Sequence, residues 1–562
     1  MILFFHAELL LSQTGIIIDQ LGYRPNDPKI AFIRQAYNGN FQVINILTKK
    51  VSFEHHISAI GSPDDGTGDD VFNLDFSDLT APGSYYIAIP GLQVQSAVFR
   101  ISNEVYNEAV TRGLESFYYQ RCGTEVKNGT VWQHPACHLD DAYFYVDPSN
   151  KIDLTGGWHD AGDYGKFTAT GTISAAFLLY LYEDRSDEFL DHQLNIPETA
   201  NKIPDILDEV RWELSWLLKM QNNEGAVYHK VSTKQWTGEY LPQDDPDKRY
   251  VYAVSSTATG SFAAVTALGA RIFGKWDKPF SQILLRASIN AWQYLQNHRT
   301  IVPEGGFHNP PDVSGGEYGD IEDTDERLWA AVELYRTTDN QEYHHYFVQM
   351  YKELGTLNPV SWEMVQNFAV NSYLKIPAEQ TDFTARSLLV ARLTGYCDLL
   401  LKKIELGGYR CVLKSGEFYW GSNSVDAAYT FDLLGAYQTT KSVTYLNGAI
   451  DQLHYLLGRN TFSLSFETGV GANPVQHPYH QFSMMLNAGS PVPGLLVGGP
   501  NKNSQLNGIV ISEFPGKCYE DNEKNYYVNE VAINYTAPFV YLAGYLANLA
   551  GNSATDSGMN DK

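Results

Sequence analysis

A small all-β sandwich followed by a large, mainly α domain is the fold this sequence predicts, and three observations predict it. The chain has 562 residues, too many for one ordinary domain. From Ile16 to about Ser102, short runs of β-forming residues alternate with turn residues. Beyond that point the apolar spacing becomes helical. The strands read as "GIIIDQLGY", "KIAFI", "FQVINI", "VFNLDF", "SYYIAI" and "AVFRIS", broken by "RPNDP" and "APGS", which suits a small antiparallel sandwich. In "SNEVYNEAVTRGLESFYYQRCG", Ser102 or Asn103 is placed to cap the first helix. Nine further stretches, among them "TISAAFLLYLYE", "IPDILDEVRWELSWLLKMQ", "STATGSFAAVTALGARIFG" and "APFVYLAGYLANLAG", read as amphipathic helices between long polar, Gly/Pro-rich loops. About a dozen helices over roughly 450 residues, with loops too long for a simple bundle, predict a toroid or barrel whose functional loops share one end.

The termini and the composition narrow the function. "MILFFHAELLLSQTG" resembles the apolar part of a secretion signal without a basic start or a small-residue cleavage site. Residues 1–14 are therefore read as a signal remnant, the protein as secreted or periplasmic, and residues 552–562 as a disordered tail. No apolar run reaches the length of a membrane span. A formal charge of −25 excludes a nucleic-acid partner, which needs a basic footprint, but would not repel a neutral polymer. Aromatics reach 13%, which suits either a sugar-stacking cleft or a tyrosine-rich core. Five cysteines are too few for a disulfide scaffold. A monomer is expected.

The chemistry concentrates in "GGWHDAGDYGKF", where Asp160 and Asp163 stand three apart. Two carboxylates so close naturally share one water, one as base and the other orienting it, and the acid must then come from elsewhere. Glu530 in "YYVNEVAINYTAPFVYLAG" is a candidate, because an apolar stretch beside it would keep it protonated. A solvated turn or a calcium loop explains "DAGD" alone about as well, and a dipole-favoured helix-start glutamate explains Glu530 alone. "RCG" and "HPACH" supply Cys122, Cys137 and His138, and His159 precedes Asp160. Two thiolates and two imidazoles make a closed tetrahedral zinc site that would fix the aspartate loop; a Cys122–Cys137 disulfide or buried thiols are the alternatives. "GEYGDIEDTDERLW" crowds six acids before a helix, as an oxygen-ligated calcium site or a solvated helix start would.

The ordered set "GGWHDAGDYGKF", "HPACHLDDA", "WGSN", "NPVQHPYHQ", "PVPGLLVGGPN" and "NEVAINYTAP", behind "IIIDQLGYRPN", resembles the glycoside hydrolase family 9 endoglucanases that carry an N-terminal immunoglobulin-like domain. The resemblance covers nearly the whole chain. It implies an immunoglobulin-like domain over 15–103, packed against and supporting an (α/α)6-barrel catalytic domain over 104–551. It implies inversion by a single displacement, with Asp163 as general base, Asp160 helping to hold the water and Glu530 as general acid. It further implies structural Zn2+ on Cys122, Cys137, His138 and His159, and structural Ca2+ on Asp320, Asp323, Asp325 and Glu326. Trp362, Trp420 and Tyr535 resemble the cleft aromatics of the family. Where the family usually shows Pro-His-His-Arg, this chain has Pro478, Tyr479, His480 and Gln481, so Tyr479 and Gln481 occupy substrate-contact positions and a cation is lost. His477 could substitute, though a structural histidine is the commoner role. The expected function is an inverting endo-β-1,4-glucanase acting on cellulose-like or mixed-linkage β-glucan. The alternatives are an exo-acting or specialised enzyme for cello-oligosaccharides, xyloglucan or glucosaminides, and a non-catalytic glucan-binding homologue.

Overall fold

The structure, a computed structural model, describes residues 15–57, 60–236, 238–506 and 509–549. The signal remnant at 1–14 and the tail at 552–562 lie outside the described residues.

The N-terminal domain comprises β1 (Ile16–Ile17), β2 (Gly22–Tyr23), β3 (Ile30–Ile33), β4 (Asn40–Asn45), β5 (Val51–His56), β6 (Ser62–Pro63), β7 (Asp70–Asp75), β8 (Gly83–Ile89), β9 (Val94–Gln95) and β10 (Phe99–Ile101). One sheet runs β1-β3-β7-β6 and the other β2-β10-β8-β4-β5, with β9 added to β8. All pairs are antiparallel except β2–β10, the one departure from the expected sandwich. Alternation explains the packing: Phe41 and Val43 on β4, and Tyr85, Ile87 and Ile89 on β8, are buried while the residues between them are not. Tyr23, Phe76 and Phe99 meet edge to face at the centre, with ring centroids 5.1–5.5 Å from Tyr23.

The helical part begins with α1 (Asn107–Tyr119), later than expected; Ser102 instead accepts the Glu104 N–H in a turn. It continues through β11 (Tyr143–Phe144), β12 (Lys166–Phe167), α2 (Thr168–Asp184), α3 (Asp205–Met220), β13 (Val227–Tyr228), β14 (Lys230–Ser232), β15 (Tyr250–Val251) and β16 (Val254–Ser255). After these come α4 (Ser256–Phe273), α5 (Lys278–Asn297), α6 (Thr324–Thr338), α7 (Gln341–Met350), α8 (Gln366–Leu374) and α9 (Phe383–Leu406). The last helices are α10 (Ser422–Thr440), α11 (Val443–Leu456), α12 (Gln481–Leu486), α13 (Tyr526–Asn529) and α14 (Ile533–Leu546).

Six of these, α2, α4, α6, α8, α10 and α14, contact one another in cyclic order and close a ring. Each inner helix has an outer neighbour: α3, α5, α7, α9, α11 and, for α14, α1. The inner helices are not amphipathic, contrary to expectation. They are buried nearly all round, as with the unbroken burial of Thr168–Tyr182 on α2, because a ring helix meets protein on every side. Pro538 lies inside α14 and cannot donate to the Asn534 carbonyl, which instead accepts from Ser424 Oγ of α10 at 3.1 Å.

The β domain is seated on this ring. Asp69 accepts from Lys517 Nζ (2.6 Å), Tyr409 Oη (2.8 Å) and Thr461 Oγ1 (2.9 Å), and buried Asp19 meets His454 Nδ1 at 2.8 Å.

Candidate active site

The loops before the N-termini of the inner helices carry the expected site residues, Asp160 and Asp163 before α2, Asp320 before α6, Trp362 before α8, Trp420 before α10 and Glu530 before α14, and Tyr318 joins them before α6. Helix dipoles at that end favour negative charge in the cleft.

The aspartate loop is held by its backbone. Asp160 N–H donates to Gly165 O and Ile533 N–H to Asp160 O, each at 2.8 Å, which fastens the loop to the start of α14. Gln120 Nε2 donates to the carbonyls of His159 and Ala161. Gly162 is required: a Cβ there would lie 2.5 Å from Tyr479 O, and this close approach lets Gln481 N–H reach Gly162 O at 2.8 Å.

The three carboxyls differ in surroundings. Buried Asp160 accepts from Thr170 Oγ1 and, at 2.8 Å, from Tyr318 Oη, yet burial pushes its pKa up to about 7. Half-buried Asp163 is also pushed up by burial, opposed by the Gly165 N–H at 3.1 Å and by the charges of Arg249 and Lys230. Glu530 follows α13, where Gly498 N–H donates to its carbonyl at 2.8 Å and Tyr479 pairs beside it. Burial first, then the charges of Asp163 and Asp160, hold Glu530 well above the carboxylate range. Burial therefore biases all three carboxyls toward the protonated form, and Asp163 is the one of the three with cations, Arg249 and Lys230, opposing that bias.

The aromatics divide into surface and support. Trp420 is 41% exposed, hydrogen-bonds with Glu530 and Tyr535, and has Tyr526 and Tyr527 within 5.8 Å, centroid to centroid. Tyr526, also 41% exposed, continues this strip to Tyr479 at 5.8 Å. Trp362 packs edge-on behind Tyr318 at 5.5 Å. Gln481 departs from the expected substrate contact: it is only 1% exposed, and its side chain bonds to Tyr479. A side chain shut beneath its neighbour cannot reach a sugar, so of the pair Tyr479 alone faces the cleft. His480 is buried between Gln120 and Ser483, and His477 lies on the surface beside Glu523.

Tyr318 was not singled out from the sequence, where it sits unmarked in the acidic run. It holds a left-handed backbone (φ 48°) while its hydroxyl fixes Asp160. Tyr318→Phe is expected to lower kcat about ten- to hundredfold with little change in KM, read from initial rates on a soluble glucan.

The two metal readings fare differently. Cys122 Sγ, Cys137 Sγ, His138 Nδ1 and His159 Nε2 lie within 4.8 Å of one another, and both thiols are free. The separations are 3.7 Å for Cys122–His138, 3.9 Å for Cys137–His159 and 3.3 Å between the imidazole nitrogens. Tetrahedral zinc with Zn–S near 2.3 Å and Zn–N near 2.05 Å has S–N edges of about 3.6 Å and an N–N edge of about 3.3 Å, so these residues fit the ion. Asp245 meets His138 Nε2 at 3.3 Å as an outer support. In the acidic run, Asp320 and Glu326 are buried with orphaned oxygens, and burial raises Asp320 to about 7 and Glu326 well above its ordinary value. Asp325 and Glu363 add repulsion to Asp320. Asp323 also repels Asp320, but it is already paired: Arg327 binds both its oxygens, at 2.7 and 2.8 Å. Among the described residues, the Cys–His set is the grouping of three or more such ligands that closes to bonding range.

Residues 106–543 match Glycosyl hydrolase family 9, and residues 12–94 match the cellulase N-terminal ig-like domain. The chain belongs to glycosyl hydrolase family 9 and is a cellulase-type glycoside hydrolase. It is 32% identical to Endoglucanase D of Acetivibrio thermocellus over 97% of this chain and 82% of that protein. It is 31% identical to the xyloglucan-specific endo-beta-1,4-glucanase BoGH9A of Bacteroides ovatus, over 96% of this chain and 95% of that protein. Among solved structures, a metagenome-derived family 9 endoglucanase superposes with a TM-score of 0.88 at 36% identity, covering 95% of this chain and 99% of the other. A Zn-binding triple mutant of the family 9 endoglucanase J30 gives 0.86 at 34% identity, covering 93% and 99%. No described helix is long and apolar enough to cross a membrane.

Proposed function

We propose that this protein is an inverting endo-β-1,4-glucanase acting on cellulose-like or mixed-linkage β-glucan. The observation that carries the reading is that main-chain bonds bring the loop of Asp160 and Asp163 against the loop of Glu530: Ile533 N–H donates to Asp160 O and Gln481 N–H to Gly162 O, each at 2.8 Å, and Tyr479 pairs beside Glu530. Glu530 gives its proton to the departing glycosidic oxygen. Asp163 takes a proton from water that Asp160 helps to orient, and this water attacks the anomeric carbon from the opposite face. Trp420, Tyr526, Tyr479 and Tyr535 supply the surface on which sugar rings stack, with Trp362 behind Tyr318. The closed helical ring is read as an (α/α)6 barrel over 104–551, with the sandwich over 15–103 as its support.

The test is a panel of carboxymethylcellulose, mixed-linkage glucan, xyloglucan and cellohexaose, followed by viscosity and product length. The reading predicts a rapid fall in viscosity with mixed oligosaccharides from the first two. A single short product would make the enzyme exo-acting. Binding without turnover would make it a glucan-binding homologue. Tyr479, standing where the family has histidine, favours a specialised glycan such as xyloglucan as the second reading.

Zn2+ on Cys122, Cys137, His138 and His159 would have no open position for chemistry and would serve to fix the loop bearing Asp160. We also propose Ca2+ at Asp320, Asp325 and Glu326, whose oxygens would have to draw together around the ion. Asp320, raised to about 7 without a cation, stabilises the bare fold at low pH and loses that contribution as pH climbs from about 4 toward 7. Calcium reverses this cost. Added to metal-stripped protein, it is expected to raise Tm more at pH 8 than at pH 5, and an equal rise at both would count against the assignment.

A further inference from the structure

Lys230 opens β14 and stands opposite Phe167 of β12, four residues beyond Asp163. Its side chain is fully buried. Nζ donates to Asn309 Oδ1 and Gly316 O, both at 2.6 Å, and lies over the rings of Tyr252 (4.8 Å), Phe167 (5.5 Å) and Phe307 (5.9 Å). Asp163 and then Glu317 are the charges that favour its ammonium form, against burial that brings it down to about 7. A buried cation held by carbonyls and ring faces is costly, and cost of that kind points to a role.

The residue just before this strand holds the same loop. His229 Nε2 meets Glu317 O at 2.9 Å, and its ring stacks on Phe307 at 3.8 Å. Asn309, gripped by Lys230, donates to Gly315 O at 2.6 Å and, from its backbone, to Glu317 Oε2 at 2.8 Å. The next residue is Tyr318, whose hydroxyl donates to Asp160. Lys230 therefore ties the segment that delivers Tyr318 to β14, the strand paired with β12, which continues from the aspartate loop.

We infer that Lys230 is a positioning residue for hydrolysis: its ammonium locks residues 309–316 against β14 so that Tyr318 meets Asp160, and its charge favours the carboxylate of Asp163. The inference rests on the reading of Asp163 as base. The charged groups facing Asp163 are Lys230, Arg249 and Asp245, with Asp160 and Glu530 on the adjoining loops. Arg249 divides its charge among Asp141, Asp245 and the two zinc-site cysteines. Removing Lys230 thus leaves Asp163 less well compensated.

The experiment compares wild type, Lys230→Met and Asn309→Ala on a soluble glucan across pH, with melting curves. Lys230→Met keeps the stem and loses the charge. It is expected to lower kcat at least about tenfold with KM within about threefold. The acid limb of kcat/KM should move up by about half to one pH unit, with the alkaline limb in place. Asn309→Ala keeps the charge and loses an anchor, so kcat should fall with the acid limb unmoved. A folded Lys230→Met enzyme with a wild-type profile, or one whose loss of rate follows its melting with no movement of the limb, overturns the inference. Should Lys230→Met not fold, Asn309→Ala decides: wild-type kcat overturns, and lowered kcat at unchanged Tm supports. A wild type that turns over no β-glucan sinks the reading of Asp163 and this inference with it. A turning-over wild type with an unshifted variant sinks this inference alone.

Discussion

Glu530→Gln is expected to lower β-glucan turnover about a thousandfold, roughly 4 kcal/mol of barrier, while binding of cello-oligosaccharide persists. Glutamine keeps the shape and the contact with Trp420 but has no proton to give to a poor leaving group. Asp163→Ala should cost a similar factor, since water then meets no base. The two substitutions are distinguishable by pH. In the proposed mechanism activity needs Glu530 protonated and Asp163 ionised, so it should be lost as pH rises through the raised pKa of Glu530 and as pH falls through that of Asp163. Glu530→Gln should therefore erase the alkaline limb and Asp163→Ala the acid limb. Binding measured by calorimetry should stay within about threefold of wild type for both, because neither removes the aromatic strip. Loss of binding in step with turnover would mean that the carboxyls hold substrate rather than transform it.

The second large effect concerns the Cys–His site. Stripping zinc, or replacing Cys122 by serine, is expected to lower Tm by about 5–10 °C and to abolish most activity. The ion would join three segments, at Cys122, at Cys137 with His138, and at His159, and the last precedes Asp160 directly. The activity loss should exceed what the melting shift explains, because the aspartate loop loses its anchor before the ring helices feel anything. Elemental analysis should find about one zinc per chain. Protein without metal, with an unchanged melt after chelation, would contradict the assignment.

Much of this was legible in the sequence, for physical reasons that also explain what was not. The strands of the β domain announced themselves because one face of each is wet, so Phe41 and Val43 alternate with polar neighbours. The inner helices were legible as helices but misread as amphipathic, since residues such as Thr170, Thr172 and Ser174 look like a polar face and are in fact buried, with their hydroxyls bonded locally or to Asp160. The carboxyls Asp160, Asp163 and Glu530 stand out in the sequence because their motifs are short and contiguous, and the structure brings their loops side by side. Tyr318 was not, because its contribution depends on a positive φ and a contact across 158 residues. Tyr526 carries no signal of its own in "YYVNE", because its exposure beside Trp420 and Tyr479 arises only in the fold. Gln481 was read as a cleft residue because its position in the motif is a cleft position, and only packing shows it shut beneath Tyr479. Asp323 carried a signal that was available: Arg327 follows at the i,i+4 spacing of a helical ion pair, which removes Asp323 from the pool of free ligands.

The departure at Tyr479 and Gln481 has a structural consequence beyond the missing cation. The Tyr479 backbone sits against Gly162 and pairs beside Glu530, so this segment bridges the base loop and the acid loop. Its fold is kept by main-chain bonds, which tolerate a change of side chain.

The central claim is that one cleft holds a separated acid and base that invert the anomeric centre. A proton NMR time course on cellohexaose, read in the first minutes before mutarotation, tests it most directly. The account predicts that the new reducing ends appear as the α-anomer and only later drift toward the β form, with no signal in Glu530→Gln. New ends appearing first as the β-anomer would contradict it, since retention requires a covalent intermediate that this arrangement of carboxyls is not read to form.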